Sequence, residues 1–366
     1  MNRVSKCLAL LFAMTGATVA QAGTLTVTSP SSGDFLGLNN TVSFNIVNAS
    51  TQVTVRVRAT QVANPAIQVE VETKVTPNAQ GEASGSVQLN FTTGFPSGDY
   101  TLNVTPTEVG GFYPAVPPIN VTVDVVAPKF LAFNPLSNGF VRDSVLISAL
   151  LEETNMKEWR VKVGGADIPN NTGSTVMLSV NWDTSLELTD GPKSIVITAD
   201  DQAKNSVNQT INVTLDRLPP ISTVLAPTSS DRYFGNARVP VVVQIADQFA
   251  GAVDDRTVEV FIRDTNGNFV TRVARRSVNN NGATMNWTGR IRDISRLPSI
   301  FDVVVQATDK AGNSAVEQTV RIERNRSGVH IQNGNQSSEE PGSDTVVDKG
   351  IMWRKGTIIF GLRRRH

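Results

Sequence analysis

Apolar and polar residues alternate with a period of two over most of this chain. Thr41-Val-Ser-Phe-Asn-Ile46 and Val53-Thr-Val-Arg-Val57 each put an apolar side chain on every second position. That is the pattern of a strand buried on one face. Thr24 to Thr28, Gln68 to Thr73, Ala83 to Phe91, Tyr100 to Val104 and Ile119 to Val125 continue the series, with Gly, Pro, Asn and Ser in the gaps, where turns need them. Ser144 to Leu151, Glu158 to Val163, Thr175 to Trp182 and Lys193 to Thr198 form a second series. Val239 to Ile245, Thr257 to Arg263, Thr284 to Trp287, Phe301 to Ala307 and Thr319 to Ile322 form a third. Pro240 lacks a backbone donor, so its strand is expected at a sheet edge or to begin pairing after the proline. Past residue 22, no window sustains a helical apolar period.

Two signatures recur and set the domain count. The first is Ala307-Thr-Asp-Lys-Ala-Gly-Asn-Ser314, matched about 108 residues earlier by Ala199-Asp-Asp-Gln-Ala-Lys-Asn-Ser206. Both read strand, tight turn, strand. The spacing is too long for a solenoid unit and suits a β-sandwich domain. The second is an aromatic at a strand end: Phe91, Trp182 and Trp287 each follow an apolar–Asn pair. Each is expected to fill the space between two sheets, since it offers the largest area to bury. Between series, Asp124-Val-Val-Ala-Pro128 and Asp216-Arg-Leu-Pro-Pro220 end one strand run and open the next. A proline there ends ladder pairing and stiffens the joint. The chain therefore divides into residues 23–126, a diverged copy without the Asp-x-Ala-x-Asn turn, then 127–217, 218–324 and a tail, 325–366.

Charged residues make up 18% of the chain and the net charge is zero, which removes any global field for a nucleic acid or other polyanion. The single cysteine is Cys7, and the two histidines are His330 and His366. Residues 23–324 thus hold no thiol or imidazole for nucleophilic or zinc chemistry. Residues 1–22 read as a secretory signal peptide. Arg3 and Lys6 precede an apolar run from Leu8 to Val19, and Ala20-Gln21-Ala22 offers a small-x-small cleavage site. The expected location is extracellular or in a cell envelope.

Two stretches carry candidate chemistry. Asp200, Asp201 and Asn205, and Asp309 and Asn313, gather side-chain oxygens on turns, as a hard cation such as calcium requires, with Asp216 as a further donor. The competing reading is turn chemistry alone, since Asp and Asn satisfy nearby backbone and tolerate left-handed conformations. In the tail, Arg354, Lys355, Arg363, Arg364 and Arg365 could meet an anionic surface with Trp353 and Phe360 entering it. Alternatively, Thr357 to Phe360 could add a strand to a partner's sheet, or the tail could be an unstructured end. The preceding polar run, Arg324 to Val346, has the composition of a disordered segment. The apolar stretch from Ile351 to Leu362 is too short to span a bilayer as a helix.

The Asp-Lys-Ala-Gly-Asn turn at 309–313, its partner at 201–205 and the Asp-x-x-x-Pro junctions resemble the bacterial Ig-like domain family. The resemblance is close for the last two domains and weak for the first. It implies an all-β fold of three tandem immunoglobulin-like sandwiches with a disordered C-terminal tail. It also implies a non-enzymatic stalk, adhesin or assembly module, with a cell-envelope component or another surface protein as partner. A calcium- or carbohydrate-binding adhesive module and a spacer serving a separate secreted enzyme are the alternatives. Some adhesin members of the family bind calcium and many members do not.

Overall fold

Alternation is realised strand by strand in the computed structural model, which describes residues 22–234, 236–325, 351–354 and 357–360. The first sandwich contains β1 (Thr24–Ser29), β2 (Phe35–Leu36), β3 (Asn39–Val47) and β4 (Val53–Gln61). It continues with β5 (Gln68–Val75), β6 (Ala83–Asn90), β7 (Gly98–Glu108) and β8 (Ile119–Val123). On β4, Val53, Val55, Val57 and Ala59 are fully buried while Arg56 and Arg58 face water. A one-residue slip would reverse this, so the pattern itself fixes the register.

The second sandwich contains β9 (Lys129–Asn134), β10 (Gly139–Val141), β11 (Ser144–Glu152) and β12 (Met156–Val163). It is completed by β13 (Ala166–Gly173), β14 (Met177–Asp183), β15 (Gly191–Asp201) and β16 (Ser206–Leu215). The third contains β17 (Ile221–Ala226), β18 (Arg232–Phe234), β19 (Val239–Ala246), β20 (Glu259–Asp264) and β21 (Phe269–Arg272). It is completed by β22 (Ala274–Asn281), β23 (Thr284–Ile291), β24 (Ile300–Gln306) and β25 (Gln318–Asn325).

The three sandwiches share one plan. A five-stranded sheet, ordered β2-β8-β7-β4-β5 in the first domain, packs on a sheet ordered β1-β3-β6. The second domain repeats this as β10-β16-β15-β12-β13 on β9-β11-β14. The third repeats it as β18-β25-β24-β20-β21 on β17-β19-β23-β22 and gains β22 as a fourth strand. In each, the opening segment splits between the two sheets. Its second piece, β2, β10 or β18, runs parallel to the domain's last strand. Three separate apolar clusters result, one per domain.

The aromatic markers lie where sandwich packing needs them: Phe91, Trp182 and Trp287 are all buried. Trp287 is mid-strand on β23, however, not at a strand end, because β23 runs on to Ile291. Pro240 also differs from one of its two expectations. Its strand β19 is central, between β17 and β23. Pairing with β17 starts only at Val242, so the proline lies outside that ladder and its missing donor is tolerated there.

In the tail, Ile351–Arg354 (β26) and Thr357–Phe360 (β27) pair antiparallel as a hairpin, which places Trp353, Arg354 and Phe360 on its strands. Lys355, Arg363, Arg364 and Arg365 lie outside the described residues, as do residues 1–21 of the expected signal peptide. Among the described residues no helix is long and apolar enough to cross a membrane.

Because the cores are separate, Trp287→Ala is expected to destabilise the third sandwich alone, by about 3–5 kcal/mol. Scanning calorimetry should show one unfolding component displaced and the others unmoved. A uniform shift of all components would mean that the domains unfold as one.

Candidate metal centres

Both Asp-x-Ala-x-Asn turns close on themselves in the same way. Asp201 Oδ1 accepts the Asn205 backbone N–H at 2.8 Å, and its Oδ2 accepts Asn205 Nδ2 at 2.7 Å. Asp309 holds Asn313 at the same two distances. The fourth position of each turn has positive φ: +69° at Lys204 and +93° at Gly312. That favours glycine, and Lys204 adopts it under the constraint of the turn. Asp264 and Asn268 repeat the carboxylate–Asn arrangement at an exposed hairpin of the third sandwich. The motif is therefore a local folding device, and its location decides what else it does.

At 201–205 and 309–313 the location is a domain junction. An amide Nδ2 carries two hydrogens. Asn205 Nδ2 spends its second on the backbone carbonyl of Asp124, the linker residue of the preceding domain, at 2.8 Å. Asn313 Nδ2 donates to the Asp216 carbonyl at 2.9 Å. The turn signature and the linker signature are thus two halves of one contact. Each linker aspartate is pinned from its own domain as well: Asp124 N–H donates to the Leu36 carbonyl and Asp216 N–H to that of Val141. At the first junction Gly37 abuts the Ala203 carbonyl with no room for a Cβ.

The side chains of the linker aspartates turn toward the next domain, where two further carboxylates meet them. One carboxylate oxygen from each of Asp124, Glu153 and Asp201 lies within 4.8 Å of the others, and Asp216, Asp247 and Asp309 form the equivalent trio. Asp201 and Asp216 are fully buried, and Asp124 and Asp309 nearly so. Burial raises the pKa of Asp201 against the opposing hydrogen bonds from Asn205, and the charge of Asp124 adds to the rise. Burial likewise raises Asp216, opposed by Gln248 and reinforced by Asp247 and Asp309. Glu153 and Asp247 are raised by burial and by their acidic neighbours.

The two trios differ in how their oxygens are satisfied. At the first junction Asp124 Oδ2 accepts Asn155 Nδ2 at 2.9 Å, and Oδ1 accepts the Val126 N–H at 3.2 Å. At the second, Gln248 Nε2 donates to Asp216 Oδ1 at 2.7 Å, but Asp216 Oδ2 and Asp247 Oδ2 are buried with no hydrogen-bond partner. Three converging carboxylates with two orphaned oxygens suit a hard cation bound through oxygen, calcium foremost. Around this trio, Arg142 donates to Asn313 Oδ1 at 3.1 Å, Gln248 also reaches Asp190, and the Lys310 ammonium lies 5.9 Å from the Phe140 ring centre.

Of the residues singled out in the sequence, Asp201, Asp309 and Asp216 thus come together with other carboxylates. Asp200 does not: strand alternation puts it on the opposite side of β15 from buried Asp201. Asn205 and Asn313 are engaged in turn and linker hydrogen bonds. Glu153 and Asp247 escaped notice, although each follows the end of a repeated strand, β11 or β19. Asp124 was visible only as part of a linker. In the first sandwich Glu108 takes the place of Asp201 and faces inward. Its carboxylate accepts the Ser50 N–H at 2.6 Å and the Tyr113 hydroxyl at 2.9 Å. Burial would raise its pKa, yet donors from Thr51, Tyr113 and Ser50 hold it below the ordinary glutamate value.

No family model and no curated protein matches the chain. Among solved structures it is similar to the fibronectin(III)-like modules of Clostridium thermocellum CbhA, at 12% identity over 57% of this chain and all of that one, with a TM-score of 0.36. It is similar to the I67–I69 fragment of the titin I-band, at 10% identity over 84% of this chain and all of that one, TM-score 0.34. A calcium-stabilised adhesin with which an Antarctic bacterium binds ice shares 20% identity over 84% of this chain and 75% of that one, TM-score 0.31. These are tandem sandwich proteins, and identities this low bear on fold alone.

Two outcomes test the junction geometry. Asn313→Ala removes a turn clasp and strips the buried Asp216 carbonyl of its donor, a loss of about 1–3 kcal/mol. It should also widen the interdomain angle distribution seen by small-angle scattering. Asn268→Ala, in the exposed copy of the turn, should leave scattering unchanged; equal effects would divorce the turn from the junction. The second outcome concerns pH. A carboxylate with a raised folded pKa binds protons more tightly folded than unfolded, so its contribution to stability falls as pH rises from about 4 through the raised value. In chelator, Asp216→Asn should therefore stabilise the third sandwich at neutral pH, with a gain that shrinks as the pH falls toward 4. A gain independent of pH would show that Asp216 carries no raised pKa.

Proposed function

We propose that this chain is a non-enzymatic structural and interaction protein of the extracellular space or cell envelope. Its three Ig-like sandwiches act as a calcium-stiffened stalk. The observation that carries this is the second junction, where Asp216, Asp247 and Asp309 converge with two buried oxygens unsatisfied. Repulsion among three carboxylates loosens a joint, and a divalent cation bound between them reverses the sign of that interaction. Asp216, Asp247 and Asp309 would hold the ion at the second junction, and Asp124, Glu153 and Asp201 at the first. The second is the stronger site, because hydrogen bonds already serve Asp124 at the first.

The signal-peptide pattern of residues 1–22 and the Ig-like turn and linker motifs support the placement outside the cytoplasm. The lack of any thiol or imidazole between residues 23 and 324 supports a role in holding and presenting, not in catalysis. Binding to an envelope component or another surface protein falls to the domain-end loops and to the tail. There Trp353, Arg354, Lys355, Phe360, Arg363, Arg364 and Arg365 form a basic and aromatic set for an anionic surface.

Calorimetry in chelator and in graded calcium tests the proposal. Calcium at 100 times its dissociation constant should add about 2.7 kcal/mol to the domain that holds it. Asp216→Asn should abolish the part belonging to the second junction. A flat titration would remove calcium from the account and leave a stalk whose joints rest on hydrogen bonds and packing, those of Asn205 and Asn313 foremost.

A further inference from the structure

The third sandwich carries a second feature, independent of the junctions and of calcium. Arg238, Arg275, Arg276, Arg290 and Arg292, with Ala274 between them, line a pocket of about 400 Å³. The register explains how residues on β22 and β23 meet others just before β19 and just after β23. Val239 pairs with Ile291, which sets Arg238 beside Arg292 at the sheet end, and Arg290 sits between Pro240 and Ala274. Ile291 and Val239 point into the core, so the arginines flanking them point out. The small side chain of Ala274 leaves the concavity open between them.

What sets these guanidinium groups apart is that they lie together: among the described residues, Arg232, Arg256 and Arg324 also lack a carboxylate partner but do not line the pocket. Arg263, Arg272, Arg296 and Arg321 each pair with a carboxylate. In the pocket only Arg275 does, to Asp255 at 3.5 Å on the rim. Among the described residues, Arg238, Arg276, Arg290 and Arg292 have no ion-pair partner. Like charges gathered without counter-charges repel, and a bound anion relieves that repulsion.

We propose that this pocket binds the phosphate group of a phosphate ester. A guanidinium is a planar fork of donors, and several forks can address one tetrahedral dianion from different sides, whereas a carboxylate is saturated by one or two. Among the described residues no aromatic side chain lines the pocket, which gives it no platform for stacking a nucleobase. Its position fits presentation of a ligand. β19 ends at Ala246, just before Asp247 and Gln248 of the junction, and the arginines cluster at the opposite end of β19 and β23. The ester can be a soluble metabolite or a phospholipid headgroup, and the chemistry of recognition is the same.

The test uses the full chain at fixed calcium and moderate salt. Calorimetric titration with pyrophosphate is run beside sedimentation with vesicles containing phosphatidic acid. Saturable binding of either probe is expected, and the Arg290→Gln/Arg292→Gln pair should weaken it roughly tenfold or more. Binding of pyrophosphate points to a soluble ester, and binding of vesicles alone to a headgroup. Arg272→Gln/Arg296→Gln removes the same charge elsewhere on the domain and should leave binding within about twofold. If the first pair shifts the melting transition, Arg238→Gln/Arg276→Gln supplies the same reading from the other side of the pocket. Failure of both probes, equal loss in pocket and control variants, or tighter binding of polygalacturonate than of either phosphate probe would overturn the assignment.

Discussion

One side-chain amide decides how each domain meets the next. Asn205 and Asn313 each use one amide hydrogen to close their own turn and the other to hold the carbonyl of the preceding linker aspartate. The first bond makes the second economical. The amide is already oriented before the neighbouring domain arrives, so little rotamer freedom remains to be lost at the junction. The same linker residue then delivers its carboxylate to two others. Backbone and side chain of one aspartate thereby fix position and charge at the joint.

The two joints resolve the same problem differently. Around Asp124, neutral donors are plentiful: Asn155, Ser97 and the Val126 amide all reach its carboxylate. Around Asp216 the one side-chain donor is Gln248, and cations gather at the periphery instead. Arg142 stands where the first junction has Gly37, each directly after the short strand that pairs with the end of its domain. Arg217 binds Asp190 and the carbonyls of Thr184 and Glu187, bracing the second linker from behind. The first joint is governed by close packing and hydrogen bonds, the second by electrostatics. Carboxylates at both joints have raised pKa values, so both feel protons, but only the second leaves buried carboxylate oxygens without a partner.

Much of this architecture was legible in the chain and some was not, for reasons that differ by residue. Period-two alternation identified most of the long strands because each buries one face. It missed β2, β10, β18 and β21, which are too short to show a period, and β9, β13, β17 and β22, which bury too little for their apolar residues to alternate. Both halves of the junction contact could be read as separate motifs. Their partnership could not, since Asn205 lies 81 residues beyond Asp124 and Asn313 lies 97 beyond Asp216. Glu153 and Asp247 look like ordinary polar residues at strand ends, and only tertiary structure makes them buried. The arginine pocket is hidden in a different way. Its members come from three separate stretches of a chain with zero net charge, so no local run announces it. Pro240 shows the limit of a local rule: it forbids pairing on one side of a strand and says nothing about the other.

The parallel pairing of β2 with β8, β10 with β16 and β18 with β25 has a mechanical meaning. In each sandwich the second piece of the opening segment lies beside the last strand, through which tension leaves, and the two run in the same direction. A pull along the array draws them past one another lengthwise, loading the rungs between them together in shear. Unzipping, which breaks rungs one at a time, is the weaker mode, and the parallel pairs do not offer it to a force applied end to end.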